Sequence, residues 1–167
     1  MSRDYPDWLD PFKAAQARRE FSGSIRLSDL RPVRGLIDDP GEAEIDFELS
    51  FDLDDQREVR VRVHVSGEVP MVCQRSLRPF GQWIDSESVV AIVASETEVD
   101  RLPEDYEPLL ISEPRLSVAD LVAEEVLLAL PLVPKAPDSE PVGTQAAKEA
   151  ESHRPFAVLA ALSRKRD

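Results

Sequence analysis

The chain has 167 residues, with 20 Lys and Arg against 33 Asp and Glu, for a formal net charge of −13. That length bounds one domain of ordinary size, large enough to bury a real core and too short for two substantial ones. No run approaches the roughly 18 apolar residues of a membrane span, and the opening MSRDYPDWLD is too acidic for a signal peptide, so a cytoplasmic location is expected.

In chain order, Asp10 and Pro11 open a short helix, with Asp10 as its cap and Pro11 at the first position, where a missing N–H costs nothing. Ala14, Ala15 and Ala17 support it, and Arg18 and Arg19 suit its negative end. Residues 21–27 read as a strand with Phe21 and Ile25 on one face.

The clearest pattern follows. Ile45, Phe47, Leu49, Phe51 and Leu53 alternate with polar residues, and Val59, Val61, Val63 and Val65 alternate with Arg60, Arg62 and His64. Two such runs split by Asp54, Asp55 and Gln56 predict an antiparallel hairpin. Its outer face would set Asp46, Glu48 and Asp52 across from Arg60, Arg62 and His64, so opposite charges partly cancel. Gly67 and Pro70 punctuate the next stretch, residues 78–81 suggest a turn, and residues 83–93 supply one or two strands broken near Asp85 and Ser86. The acidic segment 95–108 reads as a loop.

Ser117 caps the best helix, with Asp120 placed to reach back. Val118, Leu121, Val122, Val126 and Ala129 form its buried stripe, Asp120, Glu124 and Glu125 face solvent, and Pro131 and Pro134 stop it. Residues 1–134 are thus expected to form one domain, 135–152 a flexible acidic linker, and 153–167 a helical tail with a basic end. The apolar Phe156, Val158, Leu159 and Leu162 of that tail either dock back on the domain or await a partner.

Charge is segregated along the chain. Residues 36–55 hold nine acids and no base, while 56–84 hold five bases and two acids. Residues 85–151 hold sixteen acids and four bases. Arg57, Arg60, Arg62, Arg75 and Arg78, joined by Arg164, Lys165 and Arg166 of the tail, are the candidates for phosphate contact. Phe80 and Trp83 beside them would either stack on unpaired bases or belong to the core. No glycine-rich phosphate loop and no Cys-x-x-Cys pair is present, so no cofactor is expected. Cys73 is the only cysteine, which excludes an internal disulfide framework, and with just His64 and His153 it makes a closed zinc site improbable. No catalytic constellation is found, and no enzyme is expected.

Several motifs nonetheless fall in a familiar order. VAEEVLLALPLVP (122–134) and RPFAVLAALSRKR (154–166) are preceded by DPFKAAQARREFSG (10–23), VPMVCQRSLRPF (69–80) and LPEDYEPL (102–109). Together they resemble the YceD family (DUF177), bacterial large ribosomal RNA subunit accumulation proteins. The resemblance implies a non-enzymatic role in synthesis, processing or stability of 23S rRNA. It also marks Cys73, Arg75 and Ser76 as family-motif positions. The family pattern has Cys-x-Arg-Cys where Ser76 stands here, and some relatives carry further cysteines where this chain has Lys135 to Asp138, so a zinc site built on those cysteines is not available.

The resulting expectation is an α+β fold: an antiparallel sheet from residues 21–111, barrel-like if it closes, with flanking helices and a linked C-terminal helix. Two mechanisms compete for the expected partners, the components of the precursor large ribosomal subunit. One is an acidic adaptor for a basic ribosomal protein or processing factor. The other is direct binding of precursor 23S rRNA through the arginine-bearing strand face.

Overall fold

The computed structural model describes residues 5–103 and 106–140. A two-residue strand β1 (Trp8–Leu9) leads into α1 (Pro11–Gln16), where the Asp10 carboxylate accepts from the Phe12 and Lys13 amides as its cap. Strand β2 (Glu20–Arg26), a 3-10 turn and the short α2 (Arg31–Arg34) follow. Three long strands come next, β3 (Glu44–Leu53), β4 (Val59–Val72) and β5 (Pro79–Val93). The chain then passes through α3 (Glu96–Val99), β6 (Glu107–Leu110) and β7 (Leu116–Ser117) into α4 (Val118–Ala129).

The α+β expectation holds. The main sheet is linear, in the order β2-β3-β4-β5-β6, and therefore open rather than closed into a barrel. It is antiparallel except at β6, which runs parallel to residues 90–93 of β5. A separate two-stranded pair, β1 with β7, ties the N-terminal segment to the start of α4.

The alternation in β3 and β4 works as read. Ile45, Phe47, Leu49 and Phe51 and then Val61, Val63 and Val65 turn inward, each no more than 2% exposed. Helices α1 and α4 cover this inner face, and α2 packs beside α4. Val118, Leu121, Val122 and Val126 of α4 complete the core. The other face of the sheet is open to solvent over most of its extent, but is covered at the β5–β6 end, where Ala91 and Val93 are buried. That exposed face is where function has to be sought.

Five local expectations are corrected. Gly67 and Pro70 do not interrupt β4: β3 pairs with it only as far as Ser66, so the missing N–H of Pro70 costs no ladder bond to β3. Residues 79–81 are strand rather than turn. The reversal is at residues 73–78, closed by the Leu77 amide on the Cys73 carbonyl at 2.8 Å and the Cys73 amide on the Arg78 carbonyl at 2.9 Å. Strand β5 is unbroken at Asp85 and Ser86, because Asp85 bonds His64 on one face and Ser86 bonds Glu125 on the other. The expected loop 95–108 contains α3 and the start of β6, elements too short to leave a periodic signature. Glu125 is also inward, 4% exposed, where solvent exposure was expected.

Candidate interaction surface

Cross-strand registration sets the outer face in rows. Ser24, Asp46, Ser66 and Asp85 form one; Ser22, Glu48, His64 and Glu87 the next; Glu20, Ser50, Arg62 and Val89 a third. At one end Asp52 opposes Arg60, and at the other Glu68 opposes Trp83. With Glu44 facing Arg26, this face carries eight carboxylates and three arginines.

All three arginines are already engaged. Arg60 grips Asp52 through two nitrogens, with Nη2 to Oδ2 at 2.9 Å, and donates to the Tyr106 hydroxyl at 3.2 Å. The Arg60 hydrogen bond holds the Asp52 carboxyl below the usual carboxylate range, and Asp52 in turn raises the guanidinium further. Arg62 pairs with Glu87 at 2.7 Å, and Arg26 lies 3.6 Å from Glu44. His64 contacts Asp85 at 2.9 Å, which raises the imidazole above its ordinary value. The expected hairpin pairing is thus realised for Asp52 with Arg60. Arg62 and His64 reach instead to β5.

The arginines proposed for phosphate contact do not converge on one patch. Arg57 lies in the β3–β4 turn, with φ 67°, while Arg75 and Arg78 lie in the turn at the far end of β4. A strand of that length spans about 3.3 Å per residue, so the two ends are tens of ångströms apart. Arg75 donates to the Ser139 carbonyl at 3.1 Å. Arg57 and Arg78 are exposed and hold no ion pair among the described residues. Phe80 packs against the core, whereas Trp83 is 63% exposed. The charged neighbours Glu68, Asp85 and Glu87 were overlooked in the sequence, although Trp83, Asp85 and Glu87 alternate at period two about the buried Ile84.

Cys73 sits in the 73–78 turn against residues 134–139. Its buried sulfur accepts from the Ser76 amide at 3.5 Å and the Ala136 amide at 3.3 Å, and the Gln74 amide bonds the Pro134 carbonyl at 2.9 Å. Burial pushes the thiol up, but the hydrogen bonds from Ser139, Ser76 and Ala136 outweigh it and bring it down to about 6. Ser76 and Ser139 flank this sulfur, and no group of three metal-ligating side chains occurs among the described residues. Nor is any helix among those residues long and apolar enough to cross a membrane. The candidates Phe156, Val158, Leu159, Leu162, Arg164, Lys165 and Arg166 lie outside the described residues.

The described residues thus form an open α+β sheet with one face packed under helices and the other mostly charged. The family model for the large ribosomal RNA subunit accumulation protein YceD matches residues 61–163. A protein of that same description from Haemophilus influenzae is 32% identical over 170 residues, covering 96% of this chain and 97% of its own length. The chain belongs to the YceD family. No solved structure matches it.

Proposed function

We propose that this protein supports the synthesis, processing or stability of 23S rRNA in large-subunit assembly as a non-enzymatic, cytoplasmic adaptor that meets a basic protein partner. The family description supplies the link to accumulation of the large ribosomal RNA. The observation that carries the adaptor mechanism is the outer sheet face, where carboxylates outnumber arginines eight to three and each arginine is held by a carboxylate. Such a face repels a phosphate backbone and attracts a cationic polypeptide.

The test is crosslinking of the tagged full chain in cells, followed by identification of the RNA and protein attached to it. A basic ribosomal protein or processing factor crosslinked through the sheet face is the expected result; precursor 23S rRNA as the sole partner would overturn the adaptor. Deleting residues 152–167 is expected to abolish capture of large-subunit precursors while leaving the domain folded. The second reading, direct binding of precursor 23S rRNA, is favoured only by Arg57 and Arg78, exposed and without an ion pair among the described residues, with Arg75 beside the latter.

A further inference from the structure

Trp83 and Trp8 are both substantially exposed, at 63% and 49%, yet their surroundings differ. Trp8 carries the Arg115 guanidinium 4.2 Å over its ring. Trp83 has no cation and no second ring against it among the described residues. The indole of Trp83, at the end of a charged strand face, thus presents an aromatic surface open to a cationic occupant.

The residues around Trp83 specify what that occupant is. Glu68 lies directly opposite in the β4–β5 register, and Asp85 and Glu87 continue along the same face of β5. A Cβ at Gly81 would come within 2.2 Å of the Glu68 carboxyl carbon, so this glycine leaves the space in which the carboxylate lies, two residues along the strand from the indole. Glu68 has no ion pair among the described residues. An aromatic face beside an exposed carboxylate that holds no ion pair among the described residues is an arrangement that receives a guanidinium or ammonium group.

The backbone next to it is open as well. Strand β6 pairs only with residues 90–93, so residues 79–89 of β5 have no strand on their outer side among the described residues. An open edge of this kind accepts an extended chain by strand addition, with main-chain bonds giving affinity and alternate side chains giving selectivity. We propose that Trp83, with Glu68 opposite and Asp85 alongside, docks an extended lysine- or arginine-bearing segment of a protein partner along the open edge of β5. This site rests on the adaptor reading and gives it a location. Glu68, Asp85 and Glu87 set the same surface against nucleic acid, since each would have to be overcome by a phosphate.

The experiment uses the full chain and a fluorescein-labelled dodecapeptide of alternating Arg and Thr, read by anisotropy at low and moderate salt. Trp83→Ala and Glu68→Gln are each expected to weaken binding at least tenfold, while Trp83→Phe, which retains a ring, stays within a few-fold of wild type. Both positions are solvent-facing, and circular dichroism checks the fold of each variant. Unchanged affinity in Trp83→Ala overturns the site. So does tight binding of a single-stranded oligouridine that the same substitution abolishes, or a dimer of this chain that it dissolves. If the wild-type chain crosslinks a basic protein in cells and Trp83→Ala crosslinks it equally, the site fails and the adaptor stands. If wild type crosslinks RNA alone, both fail.

Discussion

Ser86 on β5 donates its hydroxyl to Glu125 on α4 at 2.5 Å, and Ser88 reaches the second oxygen of the same carboxyl group. These bonds join the helix to the sheet at a point where Glu125 is only 4% exposed. A buried carboxyl group is tolerated here because both of its oxygens have donors. Glu125→Ala leaves two part-buried serine hydroxyls without their acceptor and is expected to cost about 1–3 kcal/mol in urea unfolding. Glu125→Gln, which retains an acceptor, should cost less. A triple change of Glu125→Leu with Ser86→Ala and Ser88→Ala should recover much of the loss; if it does not, packing rather than hydrogen bonding sets the value of the site.

Gly67 holds the continuity of β4 in a different way. Its φ of 152° lies where side chains are disfavoured, and an added Cβ would stand 2.8 Å from Ile45 Cδ1 and 3.2 Å from the Glu44 carbonyl. Gly67→Ala is expected to destabilise by about 1–3 kcal/mol, combining backbone strain with a clash against the end of β3. Equilibrium denaturation measures it, and a neutral result would mean that β4 bends to accommodate the methyl group.

The hairpin of β3 and β4 was legible because period-two alternation over nine and seven residues admits one secondary structure and one inward face. Asp10 and Ser117 were legible as caps because their function is local. Glu125 was not. Its helix position is ambiguous at the edge of the apolar stripe, and its burial depends on Ser86 and Ser88, residues nearly forty positions away. The same limit explains Arg62, whose carboxylate partner Glu87 comes from β5 rather than from the hairpin. It explains Trp83 too, since nothing local says which side of β5 the helices cover.

The Asp52–Arg60 pair separates the two mechanisms. Its side chains are 41% and 31% exposed, so solvent screens the pair, and a double-mutant cycle should give a coupling of about 1 kcal/mol or less. The larger consequence is for RNA. Five free arginines on a single strand would give a log–log salt slope of roughly −3.5, whereas Arg57, Arg75 and Arg78 alone give about −2. With Arg60 and Arg62 held by Asp52 and Glu87, any RNA affinity of the full chain is expected to show the shallower slope. Arg75→Ala with Arg78→Ala should flatten it further, and a slope that stays put would remove the 73–78 turn as an RNA contact.

Cys73 ties that turn to residues 134–139. Replacing it with valine removes the acceptor of the Ser76 and Ala136 amides and should cost about 1–2 kcal/mol, with faster hydrogen exchange at Ala136 than at core amides. The thiol is lowered to about 6 from 9.0, so its ionisation stabilises the fold fully above the unfolded value, and that stabilisation is lost as pH falls through about 6. Thiolate absorbance should therefore titrate near 6 in the folded protein and near 9.0 in urea. Coincident midpoints would show that the sulfur does not hold this segment.

His64 acts in the opposite direction. Its hydrogen bond to Asp85 raises it above 6.5, with Glu48 and Glu87 on the neighbouring strands adding to the effect. A group raised on folding stabilises fully below its unfolded value, and the contribution disappears as pH climbs through the folded one. The Asp85 side chain is 67% exposed, so the gain is that of a screened surface pair, about 0.5–1 kcal/mol. His64→Gln should consequently be less stable than wild type at pH 5.5 and indistinguishable from it by pH 8.5, provided Asp85 stays ionised across that range. Urea midpoints at the two pH values measure this, and an imidazole NMR titration should place His64 above the same ring in the unfolded chain. An equal deficit at both pH values would mean that the ring is held by packing in β4 and not by the charge of Asp85.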